Sequence, residues 1–226
     1  MSEYLYDRRA ILGGGSALAI GLIATPAYAD IFSSLGITKL LGNASDSALT
    51  KLAEPDAFYR DVAIRILLPG TSGKLARKLL GAGDKLGLTT KLTKSLNDAA
   101  GLAANEAKPV FRSAISGLKL SDVPGIARDR TGGTAFLQRT AGIELTGKVR
   151  PLIASALTRV GAFDQLAKLG SSSSLIRTLG LSDDRLTDSV AKQAMNGIFS
   201  YMGREEAVLR SNPIGLGKSI LEGLIK

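Results

Sequence analysis

The 226-residue chain contains no cysteine, no histidine and no tryptophan. Without cysteine there can be no disulfide and no thiolate nucleophile, and without histidine there is no imidazole base. The two side chains that most often hold zinc, haem iron and iron–sulfur clusters are therefore both missing. We expect a chain that is stabilised by burial of its apolar side chains, with no metal and no cofactor.

The charged side chains are numerous and unbalanced. Lysine and arginine number 29 against 20 aspartates and glutamates, which gives a net charge of +9. Such a surplus often marks a phosphate-binding face, but here the basic residues are scattered and aromatic side chains that could stack on bases are few. We therefore expect no nucleic-acid partner. Two interpretations of the surplus remain, a solvated basic surface and weak attraction to anionic lipid headgroups.

The N-terminus has the pattern of an export signal. Arg8 and Arg9 precede an apolar run, Ala10–Ala24, which is shorter than the roughly 20 residues that a membrane-spanning helix needs. Ala27 and Ala29 then give the small-x-small pattern of a cleavage site. The arginine pair favours a twin-arginine (Tat) signal, and the general secretory route is the alternative.

This signal sets the expected organisation and location of the chain. We predict a cleavable export signal over residues 1–29 and one helical domain over residues 30–226. The mature protein is then periplasmic, either soluble or peripherally associated with the membrane, and its first partner is the Tat export machinery.

Apolar residues recur at helical spacing through nearly all of the remaining chain. Such patterns cover Thr90–Ala104 and Asn105–Leu118, and the clearest ones come last, over Ile143–Val160 and Asp184–Leu209. The first of the four carries a stripe of alanines that would let another helix approach closely. We predict an all-α fold, a single-domain bundle of many short helices and a few long ones.

Three local signals predict breaks in this pattern. Ser45 is a candidate N-cap that would start a helix at Asp46, and Pro151 predicts a kink or break near Arg150. Residues 62–68 are rich in β-branched side chains and are the one strand-like segment. Because no partner strand can be found, this segment is expected to be an extended connector.

Several motifs resemble those of one family of exported bacterial proteins. They are Ile66-Leu67-Leu68-Pro69-Gly70, Ala107-Lys108-Pro109-Val110-Phe111, Gly132-Gly133-Thr134-Ala135, the run from Asp188 to Phe199, Arg204-Glu205-Glu206, Arg210 and Asn212-Pro213. In these motifs the chain resembles domain-of-unknown-function family 4197. The resemblance implies an exported, mostly helical, single-domain protein of Gram-negative bacteria, and it implies no activity.

One turn has the composition of an anion-binding site. Two glycines ahead of a helix can form a backbone nest whose N–H groups bind an anion, and arginine is suited to phosphate and carboxylate groups. The alternative is an ordinary turn between helices, with solvated arginines. The predicted ligand-binding residues are Arg128, Arg130, Thr131, Gly132, Gly133 and Arg139.

Other motifs carry no chemistry that we expect to be used. Gly217-Lys218-Ser219 resembles the end of a phosphate-binding loop, but position 212, where that motif needs glycine, is asparagine. Glu205 and Glu206 diverge by about 100° on a helix, so we expect two exposed carboxylates, one of which pairs with Arg210. No nucleophile elbow is present, and we predict no catalytic residues.

The favoured function is a non-enzymatic binder or carrier of an amphiphilic, anionic, lipid-like ligand held between helices of a cell-envelope protein. A second hypothesis is a structural module that docks another envelope protein through a helix at Ile214–Ile225. A third is a hydrolase that works without histidine. The partners expected after export are therefore a lipid or membrane surface, or another envelope protein.

Overall fold

The computed structural model describes residues 26–69, 87–119, 126, 129–172 and 180–211. Within these residues there are six helices and no strand, so the all-α prediction is confirmed. The helices are α1 Pro26–Leu52, α2 Ala57–Arg60, α3 Leu88–Ser116, α4 Gly132–Arg159, α5 Ala162–Ser172 and α6 Asp183–Ser211. Most of the predicted signal and the predicted helix at Ile214–Ile225 lie outside the described residues.

The four long helices pack side by side in the cyclic order α1, α3, α4, α6. Neighbouring helices run antiparallel. In each pair of neighbouring helices, the residue numbers rise along one helix and fall along the other. The pairs of neighbouring positions are Asp46 with Arg112 and Leu52 with Gly101 (α1 and α3), Glu106 with Arg159 and Gly117 with Thr140 (α3 and α4), and Gly133 with Glu206 and Arg150 with Asp188 (α4 and α6). The described part is thus an up-down-up-down four-helix arrangement.

The alanine stripe of α3 is buried in this bundle and allows the close approach of another helix that the sequence predicts. Its buried members are Ala99, Ala100, Ala103, Ala104 and Ala107. These small side chains bring the backbones close: a Cβ atom at Gly101 would lie 3.3 Å from the carbonyl oxygen of Leu52 in α1. Phe111 of α3 and Phe199 of α6 pack across the bundle with ring centroids 6.0 Å apart.

The long helices are more continuous than the sequence predicts. Ser45 is not an N-cap: it lies inside α1, is fully buried, and its hydroxyl makes no hydrogen bond within the described part of the chain. Pro151 does not break α4, and α3 runs through Pro109 without the predicted division at Asn105. A proline inside a helix costs about 3 kcal/mol, and here the long buried stripes on both sides of each proline offset it.

The strand-like segment lies between α3 and α6. Its first part, residues 62–64, is a turn closed by hydrogen bonds from the Ile64 and Arg65 N–H groups to the Asp61 carbonyl (3.1 and 2.9 Å), so the prediction of an extended connector holds only for residues 65–68. Alternate side chains of the segment are buried, namely Ile64, Ile66 and Leu68. Asn97 of α3 accepts a hydrogen bond from the Ile66 N–H (2.8 Å) and donates one to the Ile66 carbonyl (2.9 Å). Gln193 of α6 forms the same pair of bonds with Leu67 at 3.0 and 2.9 Å. The two side-chain amides therefore take the place of the missing partner strands.

Candidate functional site

The predicted nest forms the start of α4 and packs tightly against other elements. A Cβ atom at Gly132 would lie 2.8 Å from the carbonyl oxygen of Ile126. At Gly133 it would lie 2.9 Å from both a side-chain oxygen of Glu206 and Cδ2 of Leu41. Glycine is needed at both positions because the backbone itself is the contact surface.

The anion in this nest is a carboxylate of the chain itself. Glu206 of α6 is fully buried and accepts hydrogen bonds from the backbone N–H groups of Gly133 (2.9 Å) and Thr134 (2.7 Å). Arg210, one turn later, donates to the same carboxylate at 2.7 and 2.9 Å and to the Ile126 carbonyl at 3.0 Å. The positive end of the α4 dipole and one guanidinium thus neutralise a buried charge.

Among the described residues, the other predicted site residues make no hydrogen bond or ion pair with this carboxylate. Arg130 and Arg139 are exposed, Thr131 is half-buried, and Arg128 lies outside the described residues. The cation at the nest is Arg210 instead. An external anion would have to displace Glu206, so binding of one at this turn stays a prediction.

The prediction of two exposed carboxylates is wrong: Glu206 is fully buried, and Glu205 is partly buried. The expected pairing of one of them with Arg210 is confirmed for Glu206. The sequence did carry a signal that the nest needs an acceptor, though not which one: the first turn of α4 contains no acidic residue. The structure adds that Thr131 makes no capping bond through its side chain. Such an uncapped, glycine-rich helix start needs an acceptor from elsewhere in the chain.

A groove lies farther along the same two helices, between the middle of α4 and the middle of α6. Its volume is about 480 Å³, within the usual range for ligand sites. The residues that line it are Gln138, Gly142, Ile143, Thr146, Lys192, Met195, Asn196 and Phe199. Met195 and Phe199 are buried and give it an apolar floor. A Cβ atom at Gly142 would meet only Gln138 and Phe199, at 3.8 and 3.9 Å, so the missing side chain leaves this space open.

The rim of the groove is basic and partly apolar. Lys192 of α6 is exposed on one rim, while on the other Ile143 of α4 is 93% exposed and Arg139 lies one turn before it. Neither Lys192 nor Arg139 forms an ion pair with any residue that the structure describes. The lining includes no carboxylate. The groove therefore offers an apolar floor and uncompensated positive charge at its edge.

Residues 29–225 match the family model described as a protein of unknown function (DUF4197). The chain belongs to this family. The match confirms the resemblance seen in the sequence motifs and covers nearly all of the chain. No curated protein and no solved structure shows significant similarity to it.

Two further polar clusters of the DUF4197 chain tie elements together. Asp61 accepts bonds from the Ala63 N–H (2.9 Å), the Tyr201 hydroxyl (3.0 Å) and Arg204 (3.2 Å). The bond from Ala63, with the two others, lowers the pKa of Asp61 below its ordinary value despite the opposing effect of burial. Burial, together with Asp61, raises the pKa of Tyr201. This lowers the acidity of the phenol, so the cluster is suited to fixing the connector on α6.

The second cluster joins α1 to α6. Glu205 accepts bonds from Lys51 (2.6 Å) and Ser47 (2.7 Å). Burial acts to raise the pKa of Glu205, but the bonds from Lys51 and Ser47 outweigh it, and the pKa lies below its ordinary value. As in the Asp61 cluster, the carboxylate oxygens of this cluster already accept hydrogen bonds from side chains of a neighbouring element.

The described residues contain no group of three or more acidic side chains placed to hold a metal ion. Among the same residues of the DUF4197 chain, no helix is both long enough and apolar enough to cross a membrane.

Proposed function

We propose that this protein is a non-enzymatic binding or carrier protein that holds an amphiphile with an anionic headgroup in the groove between α4 and α6. The observation that carries the proposal is the pairing of an apolar floor with unpaired cations at the rim. The apolar tail would lie on Met195 and Phe199, in the space that Gly142 leaves open. The headgroup would lie near Lys192 and Arg139.

The two parts of the groove would contribute differently to binding. Each methylene removed from water contributes about 0.8 kcal/mol, so the tail supplies most of the affinity. A cation at a solvated rim contributes about 1 kcal/mol or less, and it selects the charge of the headgroup. Tail length should therefore set how tightly a ligand binds, and Lys192 should set which headgroup is preferred.

The test is binding of dodecyl phosphate below its critical micelle concentration, measured by calorimetry and native mass spectrometry. Gly142→Phe puts a ring into the groove, and binding should be lost. Gly147→Phe is the matched control, because it lies on the same helix and a Cβ atom there has no neighbour within 4 Å. Equal binding by the two variants, or no binding by the unmodified protein, would contradict the proposal.

The headgroup preference needs its own comparison. The protein should bind dodecyl phosphate more tightly than dodecanol, by about fivefold, and Lys192→Gln should reduce that ratio. Lys168→Gln, which removes an exposed cation from α5, should leave the ratio unchanged. A ratio that is the same in all three proteins would show that the rim charge does not select the ligand.

The proposed place of action is the periplasm, after export by the twin-arginine route. The family match begins at residue 29, the last residue of the predicted signal, which supports a separate role for the preceding segment. Replacing Arg8 and Arg9 by lysine should leave the precursor in the cytoplasm, as measured by cell fractionation. Unimpaired export of this variant would favour the general secretory route.

A further inference from the structure

Exposed apolar side chains lie on both sides of α6, one on the rim of the groove and one on the connector. Ile143 on the α4 rim is 93% exposed, and Leu67 on the extended connector is 48% exposed. The Leu67 backbone is bonded to Gln193, the residue next to Lys192, so Leu67 lies beside α6 at the level of the groove. This side of the bundle, here called the α6 face, therefore shows two large apolar side chains to solvent, Ile143 and Leu67.

The charges on the α6 face are positive where they are not compensated. The carboxylates of Asp184 and Asp188 are paired with Arg150, at 3.0 and 2.6 Å, and Asp61 is paired with Arg204. Lys192 and Arg139 keep their charge without an ion-pair partner among the described residues. The face thus combines separate apolar side chains with a local excess of positive charge.

We propose that the α6 face docks on the surface of an anionic lipid bilayer, which would place the mouth of the groove against the lipid. This inference rests on the proposed function, because it gives the route by which an amphiphile would enter the groove. Cations attract the anionic headgroups, while isolated apolar side chains insert at the boundary between headgroups and acyl chains.

A second copy of the chain fits this face less well than a bilayer does. A stable protein interface buries about 1,200–2,000 Å² around a continuous apolar centre. Here the exposed apolar side chains are separated by Lys192 and by the polar Gln193. In a symmetric dimer the same unpaired cations would meet each other, and this repulsion opposes association.

The test is co-sedimentation with vesicles of phosphatidylcholine alone and of an equimolar mixture with phosphatidylglycerol. The protein should bind the mixed vesicles and bind the neutral ones at least about tenfold more weakly. Leu67→Glu should weaken binding to the mixed vesicles by about tenfold, since it removes an inserted side chain and adds repulsion. Leu102→Glu is the matched control: Leu102 is 42% exposed and lies on α3, diagonally opposite α6.

A second variant guards against a folding effect at the connector. Ile143→Glu changes a side chain that is almost fully exposed, so the fold should be unaffected and vesicle binding should again fall. The inference is overturned if Leu67→Glu and Leu102→Glu bind the mixed vesicles equally. It is also overturned if the protein binds no vesicles, or if sedimentation shows a dimer that Leu67→Glu dissociates.

Failure of this inference can be told apart from failure of the proposed function. Gly142→Phe should lose dodecyl phosphate and still bind the mixed vesicles, because the exposed anchors and cations remain. Leu67→Glu should keep dodecyl phosphate binding, because Leu67 does not line the groove. If both ligands are lost together in both variants, docking and groove binding are one event, and the separate docking face is wrong.

Discussion

The start of α4 and the middle of α4 both face α6, and they treat charge in opposite ways. At the start, Glu206 has two backbone N–H groups and Arg210 as partners, and it is fully buried. In the middle, Lys192 lines an open groove and Arg139 lies one turn before Ile143 of its rim, and neither has an ion-pair partner in the described part of the chain. In the first region, residues of the chain itself partner the charge. In the second region, the two cations remain available to another molecule.

Burial explains this difference. Removing a carboxylate from water costs several kcal/mol, so a buried one persists only where donors surround it. An exposed cation keeps its hydration and can remain unpaired at little cost. A glycine nest with nearby arginines is therefore weak evidence for a ligand site, since a side chain of the chain can fill the nest. Uncompensated charge beside an open apolar surface is better evidence.

The largest effect should come from removing the buried carboxylate. Glu206→Ala leaves the N–H groups of Gly133 and Thr134 without an acceptor and Arg210 without its counter-ion. The free energy of unfolding should fall by about 3–5 kcal/mol, measured by urea denaturation. A loss below about 1 kcal/mol would mean that water or another group replaces the carboxylate, and the two regions of α4 would then not differ.

A second substitution tests the close packing of the nest. Gly133→Ala places a Cβ atom 2.9 Å from both the Glu206 carboxylate and Leu41, and it should destabilise the protein by about 1–3 kcal/mol. Gly147→Ala is the matched control on the same helix, where nothing lies within 4 Å. That change should stabilise the protein by about 0.5–1 kcal/mol, because alanine is the better helix former. Similar melting temperatures for the two variants would contradict the assignment.

The helical fold could be predicted from periodicity because each long stripe of apolar residues repeats over several turns. The lengths of the helices could not. Ser45 and Pro151 are strong local signals for a start and a break, yet both lie inside long helices. Local preferences are worth about 1–3 kcal/mol each, and packing along four long neighbours outweighs them.

At the candidate site too, features set by adjacent residues could be predicted, whereas contacts between residues distant in the chain could not. The nest was predictable because two adjacent glycines are a local feature. Its occupant was not, because Glu206 lies 73 positions from Gly133 in the chain. The groove depends on Gly142 facing Phe199 across two helices. No single segment carries that signal. Arg139, which the sequence predicts to be part of the nest, lies one turn before Ile143 of the groove instead.

A smaller effect is expected at the carboxylate next to the buried one. Glu205 is only partly buried, and hydrogen bonds from Lys51 and Ser47 outweigh burial and hold its pKa below the ordinary value of 4.5. A lowered pKa stabilises the fold above the unfolded value, and this contribution is lost as the pH falls through the folded pKa. Glu205→Gln should therefore cost about 0.5–1 kcal/mol at neutral pH and nothing well below pH 4.5.

Urea denaturation at neutral and acidic pH checks this dependence, with Glu144→Gln as the control. Glu144 pairs with Lys148 within one exposed helix turn, so its removal should cost less than that of Glu205 at neutral pH. A cost for Glu205→Gln that does not change with pH would mean that packing, rather than the lowered pKa, supports this position.

The smallest effect on stability is expected at the rim of the groove. There, unchanged stability would distinguish a role in ligand binding from a role in the fold. Arg139→Gln and Lys192→Gln, singly or together, should change the free energy of unfolding by less than about 0.5 kcal/mol, since neither cation has an ion-pair partner in the described residues. The same double variant should bind dodecyl phosphate more weakly. A loss of stability above about 1 kcal/mol would show that the rim cations support the fold, as Arg210 does at the nest. Stability that is unchanged while binding falls is the pattern of side chains that act on a ligand.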